Sequence, residues 1–171
     1  AYDLLFASYT DATGILLQAY NAGPGAVARF NGAVNYPLDP DPVRYVAWVK
    51  ERIPYEKYKS KTKTNSQYDE LIRRFATKYR LEFDLVKAVI SVESGFDSNA
   101  RHDRSKCSGL MQLARSTWND VCRNMIHTNW EYDSSWLIPE QNIEVGCAYL
   151  QWLQEKELPR YFPDKFRKLR H

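Results

Sequence analysis

No stretch of this sequence approaches the ~18–20 consecutive apolar residues that a membrane span needs, so no integral membrane segment is expected. Cysteine is scarce. Cys107, Cys122 and Cys147 have neither zinc-site spacing nor the even count of a disulfide framework. Charge of one sign is also lacking: 24 Lys and Arg stand against 21 Asp and Glu, for a net charge of +3. That balance excludes a disordered acidic or basic tail as the main character of the chain. No Lys/Arg stripe has the density of a nucleic-acid module, so nucleic acid is not an expected partner. Alternating β-patterns are nearly absent, apart from a short extended piece around 108–113. The first residues, Ala1 to Phe6, lack the basic region and long apolar stretch of a signal peptide, so a mature chain or another route of delivery is expected.

What remains is a chain of 171 residues, the size of one domain, able to bury a core without disulfides or metals. Aromatic residues make up 14%, with 12 Tyr and 5 Trp. Such rings fill cores, and they also suit a groove that grips a polar ligand. Helical signals run nearly throughout. Leu16, Ala19 and Tyr20 share a face over about 11–21, with Gly23 at the stop and a short helix after Gly23-Pro24-Gly25. Asp41-Pro42 opens a helix through Tyr45, Val46, Trp48 and Val49 that Pro54 ends. Ser66 with Asp69 reads as a shortened capping box before Leu71, Ile72 and Phe75. Asp84 is expected to cap a helix that Gly95 closes, and helices follow at about 115–126, 139–156 and 163–170. The fold class is all-α.

Residues 57–66, polar and basic without apolar period, form the one obvious linker and are expected to be a solvated loop. Cys147 shares a helical stripe with Ile143, Leu150 and Leu153 and reads as a buried thiol. The sequence leaves open whether Cys107 and Cys122 are bridged.

The helix over 84–94 carries the most information. Val86, Val89, Ile90 and Glu93 fall on one stripe at i, i+3, i+4 and i+7. Leu85, Ala88 and Val92 make its other sides apolar, leaving Lys87 and Ser91 as polar positions. A carboxylate continuing an apolar stripe is unusual, because burying a charge is costly. Desolvation and the helix C-terminus both raise a carboxyl pKa, and a protonated carboxyl can give its proton to a leaving oxygen. The plainer reading places Glu93 in an exposed last turn, and periodicity does not decide between the two.

Four short motifs bear on that choice: Glu93-Ser94-Gly95-Phe96, Gly109-Leu110-Met111-Gln112, Ala19-Tyr20-Asn21-Ala22-Gly23-Pro24-Gly25, and Tyr45-Val46 behind Pro42-Val43-Arg44. They resemble the signature motifs of the soluble lytic transglycosylase domain, the lysozyme-like family that cleaves bacterial peptidoglycan. The segment from Pro139 to Leu150 resembles that family's long helix. The order differs, since the family places its Glu-Ser motif first. Residues 1–56 are similar to the family's C-terminal part and 67–171 to its N-terminal part. The resemblance therefore implies one lysozyme-like domain, circularly permuted, with 57–66 joining the old ends, which single domains commonly hold close together.

Carried over by this resemblance, Glu93 matches the family's single catalytic acid/base. It would protonate the glycosidic oxygen between N-acetylmuramic acid and N-acetylglucosamine, then take the proton of the muramoyl 6-hydroxyl as that attacks C1. Most glycosidases need two carboxylates, but here the substrate's own groups act as nucleophile. Tyr20 matches a tyrosine beside the acid. Tyr45 is a weaker match of the same kind. Gln112 and Met111 match residues lining the saccharide groove. Asn21 matches a motif position but can equally cap its own helix. No cofactor and no metal are implied. The expected partner is the peptidoglycan glycan strand, the expected place is periplasmic or extracellular, and a monomer is expected.

The family usually has a Ser-Pro-x-Gly-Ala-like turn between its acid and its glutamine. This chain has a slightly longer Arg101-His102-Asp103-Arg104-Ser105-Lys106-Cys107-Ser108, with His102 near the serine's place. Two rivals follow. A muramidase on the same fold would use Asp97 or Asp103 to activate water, although loop aspartates more often cap turns. A non-catalytic glycan-binding module would have a silent Glu93.

Overall fold

The computed structural model describes residues 11–29, 45–53, 67–102 and 106–166. The described residues fall into two compact units: one holds 11–29, 45–48 and 150–166, and the other holds 49–53, 67–102 and 106–149.

In the first unit, α1 (Ala12–Ala22) begins where the Asp11 side chain accepts the Gly14 N–H at 2.6 Å and ends at Gly23. Gly23 has φ +85° and its N–H bonds Ala19 O at 2.9 Å, a C-cap that suits glycine. Ile15, Leu16, Leu17 and Ala19 are buried. Helix α2 (Pro24–Arg29) follows at once, with proline at its first position, and packs on α1 through Val27. Helix α3 (45–53), of which 45–48 belong to this unit, buries Tyr45 and Val46 here and leaves Trp48 exposed. Its expected opening at Asp41-Pro42 and its stop at Pro54 lie outside the described residues.

In the second unit, α4 (Asp69–Lys78) packs on α5 (Phe83–Ser94). Ser66, where the capping box was expected to open, lies outside the described residues. Tyr68 occupies the N-cap without a side-chain capping hydrogen bond, and Asp69 pairs with Lys87 Nζ at 2.9 Å. Lys87, a polar position in the sequence pattern, is only 1% exposed. An apolar-walled lysine is tolerable there because Asp69 meets it. Asp84 does not cap α5. Glu82 is the N-cap, and Asp84 sits in the first turn, where negative charge suits the helix dipole.

Residues 101–114 form three two-residue antiparallel strands, β1 (Arg101–His102), β2 (Cys107–Ser108) and β3 (Leu113–Ala114). His102 faces Cys107, and Ser108 faces Leu113. The extended piece expected over 108–113 is thus two strand ends around a turn at 109–112. Helix α6 (Arg115–Asn124) and α7 (Tyr132–Ser135) brace this sheet. Trp118 stacks edge-on against Tyr132 at 5.8 Å, and the Tyr132 hydroxyl donates to Leu113 O at 3.1 Å.

Helix α8 (Pro139–Trp152) continues into a π-helical stretch, Leu153–Glu157, and then α9 (Leu158–Tyr161) and α10 (Pro163–Phe166). Residues 159–163 are mostly helical. Pro159 lies in the first turn of α9, where a missing N–H costs no hydrogen bond. The wider turn before it is closed by Leu158 N–H on Leu153 O. Cys147 is buried with Ile143, Leu150 and Leu153, as the stripe predicts, and burial pushes its thiol far above the ordinary range. No disulfide joins the three cysteines. Among the described residues no helix is long and apolar enough to cross a membrane.

Candidate active site

The site residues read from the sequence fall in both units. Glu93, His102, Met111 and Gln112 belong to the second, while Tyr20, Asn21 and Tyr45 belong to the first. Each group is described within its own unit.

Glu93 lies in the last turn of α5, half-buried, one turn beyond the fully buried Val89 and Ile90. The helix ends immediately afterwards. Gly95 takes the left-handed conformation at φ +60°, and its N–H bonds Ser91 O at 3.1 Å. Phe96 is left-handed too, at φ +68°, a conformation that a non-glycine residue adopts only under external constraint. The Ser94 hydroxyl turns back onto Ile90 O at 3.1 Å. Two successive left-handed residues reverse the chain just past Glu93.

The reversed chain is a tight hydrogen-bonded turn. Asp97 N–H bonds Ser94 O at 3.1 Å, and Asp97 Oδ1 accepts the Asn99 N–H at 2.9 Å. Asp97 therefore fills the turn-capping role of a loop aspartate. Asp103 lies outside the described residues. At the turn's end, Ala100 O accepts two hydrogen bonds, from Gly109 N–H at 2.8 Å and from Gln112 Nε2 at 3.0 Å.

Gln112 thus ties the 109–112 turn to the turn after Glu93. Its Nε2 also donates to Gly109 O at 2.9 Å. Both partners are carbonyl oxygens, so the amide can be oriented only one way, and Oε1 is the atom offered to an outside donor. The backbone there is at φ +45°. Met111 departs from its expected place on the groove wall. Its side chain is fully buried, with Sδ 2.2 Å from where a Cβ on Gly146 would stand. It faces α8, so the groove-lining assignment is corrected to a packing role. His102 is exposed in β1, its carbonyl accepting the Lys106 N–H at 2.8 Å. Nearby, Arg115 ion-pairs with Asp133, and that bond holds the Asp133 carboxyl below its ordinary range, with Arg101 adding in the same direction.

In the first unit, Tyr20 is half-buried near the end of α1, and Asn21 is exposed in its last turn. Tyr45 is buried at the start of the described part of α3. Among the described residues no cluster of three or more His, Cys, Asp or Glu could hold a metal ion.

One polar residue escaped the sequence reading. Asn142 of α8 is fully buried, accepting Met111 N–H at 2.9 Å and donating to Ser108 O at 3.2 Å and Trp136 O at 3.1 Å. The signal was present: 142, 146 and 150 form a helical stripe with Gly146 and Leu150, and an amide on a buried stripe needs partners.

The sequence of this region is similar to that of known proteins. The sequence model of the transglycosylase SLT domain matches residues 70–161, from α4 to α9. That range holds Glu93, His102, Met111, Gln112 and Asn142, and leaves out Tyr20, Asn21 and Tyr45. A membrane-bound lytic murein transglycosylase C of Photorhabdus laumondii is 36% identical over 93 residues. Proteins of the same name from Yersinia pestis and Yersinia pseudotuberculosis are 34% identical over 93 residues. The matches cover 54% of this chain and 26% of each of these relatives, about a quarter of their length. The family match alone takes in more than half of the sequence, from the helix before Glu93 to the helix that seats the Gln112 turn, and the chain belongs to the transglycosylase SLT domain family.

Proposed function

We propose that this chain is a peptidoglycan lytic transglycosylase of the bacterial cell envelope, acting on glycan strands in the periplasm or outside the cell, with Glu93 as its acid/base. The observation that carries the reading is the Glu93 turn itself: an acidic side chain lies in the last turn of a helix buried over 85–90, and Gln112 is tied to the turn that follows. Family membership over 70–161 supports a lytic transglycosylase.

In this reaction Glu93 gives its proton to the oxygen of the β-1,4 bond between N-acetylmuramic acid and N-acetylglucosamine. The C1–O bond breaks, and the muramoyl 6-hydroxyl oxygen attacks C1. Its proton returns to the Glu93 carboxylate. The product is a 1,6-anhydromuramoyl end, no water is consumed, and the acid is regenerated. Gln112 Oε1 accepts a hydrogen bond from the sugar. His102 contacts the substrate from the hairpin that replaces the family's serine turn. Tyr20 offers its hydroxyl to the acid or the sugar, and Tyr45 and Asn21 are further contacts assigned by the same resemblance.

The domain is proposed to be circularly permuted, with 1–56 completing what 67–171 begins. Support comes from α1, which bears the Ala-Tyr-Asn-Ala-Gly motif and packs in one unit against the π-helical stretch 153–157, close to where the family match ends.

One digestion tests both parts. Purified peptidoglycan is treated with the wild type, with Glu93→Gln and with a reordered chain, 67–171 followed by 1–56. Released muropeptides are weighed by mass spectrometry. Products lighter by one water than hydrolytic ones are expected from the first and third, and a loss of more than about a hundredfold from Glu93→Gln. Hydrated reducing ends from the wild type would mean a muramidase. A wild type that binds the wall without releasing glycan would mean a binding module. A folded but inactive reordered chain beside an active wild type removes the permutation.

A further inference from the structure

The polar groups of Asn142 are all engaged, and all by backbone. Its Nδ2 hydrogens go to two carbonyls, Ser108 O and Trp136 O, and its Oδ1 receives Met111 N–H. With donors and acceptor so matched, the amide cannot be reversed. Its three partners come from the end of β2, from the 109–112 turn, and from the segment ahead of α8.

The fit is close on both sides. A Cβ on Gly109, which has φ +82°, would stand 2.2 Å from Asn142 Nδ2 and 2.7 Å from Trp136 O. One helical turn beyond Asn142, Gly146 leaves the space that Met111 Sδ fills. Asn142 and Gly146 therefore form a bed in which the turn sits in one position. That matters for the next residue, Gln112. Its left-handed backbone at φ +45° persists only where the surroundings over-determine it. The Met111 N–H held by Asn142 is the peptide next to that residue, and Gln112 Nε2 passes the constraint on to Ala100 O.

We infer that Asn142 is a positioning residue: acting through the Met111 amide, it holds Gln112 Oε1 in the orientation that meets the sugar, without touching substrate itself. The inference rests on the proposed saccharide contact of Gln112. It extends the site to α8, which the sequence reading had treated only as the family's long helix.

The alternative is an ordinary core asparagine, whose loss loosens the whole unit. The test separates the two with Asn142→Ala, Asn142→Ser as a milder variant should the first not fold, Gln112→Ala, and the doubles. Amide hydrogen exchange at Met111 is expected to speed up about tenfold or more in Asn142→Ala, while Leu150 in α8 keeps its protection. Binding of an N-acetylglucosamine oligosaccharide and kcat/KM on peptidoglycan are expected to fall about tenfold when Asn142 is truncated in the wild type, but less than about twofold when Gln112 is already alanine. Equal losses in both backgrounds overturn the inference, as does unchanged Met111 exchange. Failure of the catalytic proposal reads differently: the wild type then releases no glycan, while the binding cycle remains non-additive.

Discussion

Helix α8 is held on two sides by opposite means. Glu140 and Glu144 face α4, where Arg74 pairs with Glu140 and Lys78 Nζ reaches Glu144 Oε1 at 2.5 Å. Both pairs advance by four residues on each helix, so α4 and α8 run in the same direction at this contact. Asn142 and Gly146, two residues further on, point about 200° away at the helical rotation per residue, and there the 109–112 turn is seated. The first side is charged and largely wet, and Arg74 and Glu140 are each more than half exposed. The second is uncharged and dry. Charge in water can be rearranged at little cost, whereas a buried amide permits one arrangement. The wet side helps to join helices, and the dry side sets the geometry of the site.

The largest expected effect pushes this contrast to its limit by putting charge on the dry side of the ledger. Lys87 and Asp69 form an ion pair that is both charged and buried, 2.9 Å apart. Replacing Asp69 with alanine takes the carboxylate away from a buried ammonium and should cost about 3–5 kcal/mol. Replacing both, Lys87→Met with Asp69→Leu, should recover most of that. Urea unfolding midpoints of the three proteins measure both changes. A loss under about 1 kcal/mol in Asp69→Ala would mean that water reaches Lys87 as readily as it reaches the surface pairs.

Next comes Gly109→Ala, which adds one methyl group to the dry side. The left-handed backbone and the contacts with Asn142 and Trp136 O both oppose it, for roughly 2–3 kcal/mol in all. The Trp136 carbonyl belongs to the backbone and yields little. Thermal melting gives the loss in stability, and a change within experimental error would show that the bed is looser than its distances imply.

The helical architecture was legible because most of its causes are local. Apolar period, Gly23 and Gly95 as stops, and Pro139 as a start all act within a few residues, and each appears in the structure. Starts were harder. Asp84 had the right chemistry for capping but sits inside the first turn behind Glu82, and Asp69 meets Lys87 eighteen residues away, a tertiary partner that no local pattern reveals. Glu93 could be singled out because a carboxyl on an apolar stripe is conspicuous. Met111 was misplaced for the opposite reason: a motif carries residue types but not the direction of a side chain, and inside a turn that direction depends on α8. The stripe through 142, 146 and 150 marked Asn142 as an amide in need of partners, but not which: they are backbone groups of residues 108, 111 and 136, and backbone groups carry no sequence signature.

The smallest effect belongs to the wet side. Arg74→Ala removes one of the α4–α8 pairs and should cost less than about 1 kcal/mol, because both partners keep their hydration and their side chains regain rotamer freedom. Salt provides the sharper test. Screening weakens exposed pairs within a Debye length of ~8–10 Å near physiological ionic strength, so the gap between wild type and Arg74→Ala should close as salt rises to about 1 M. The Gly109→Ala gap, which is steric, should stay as it was. The two variants compared in low and high salt therefore separate the two sides of one helix by mechanism as well as by magnitude. If the Arg74 gap also persisted in high salt, the guanidinium stem's packing against the Phe75 ring, with Cζ 4.6 Å from its centroid, would be its source. The wet side would then owe part of its hold to contact rather than charge.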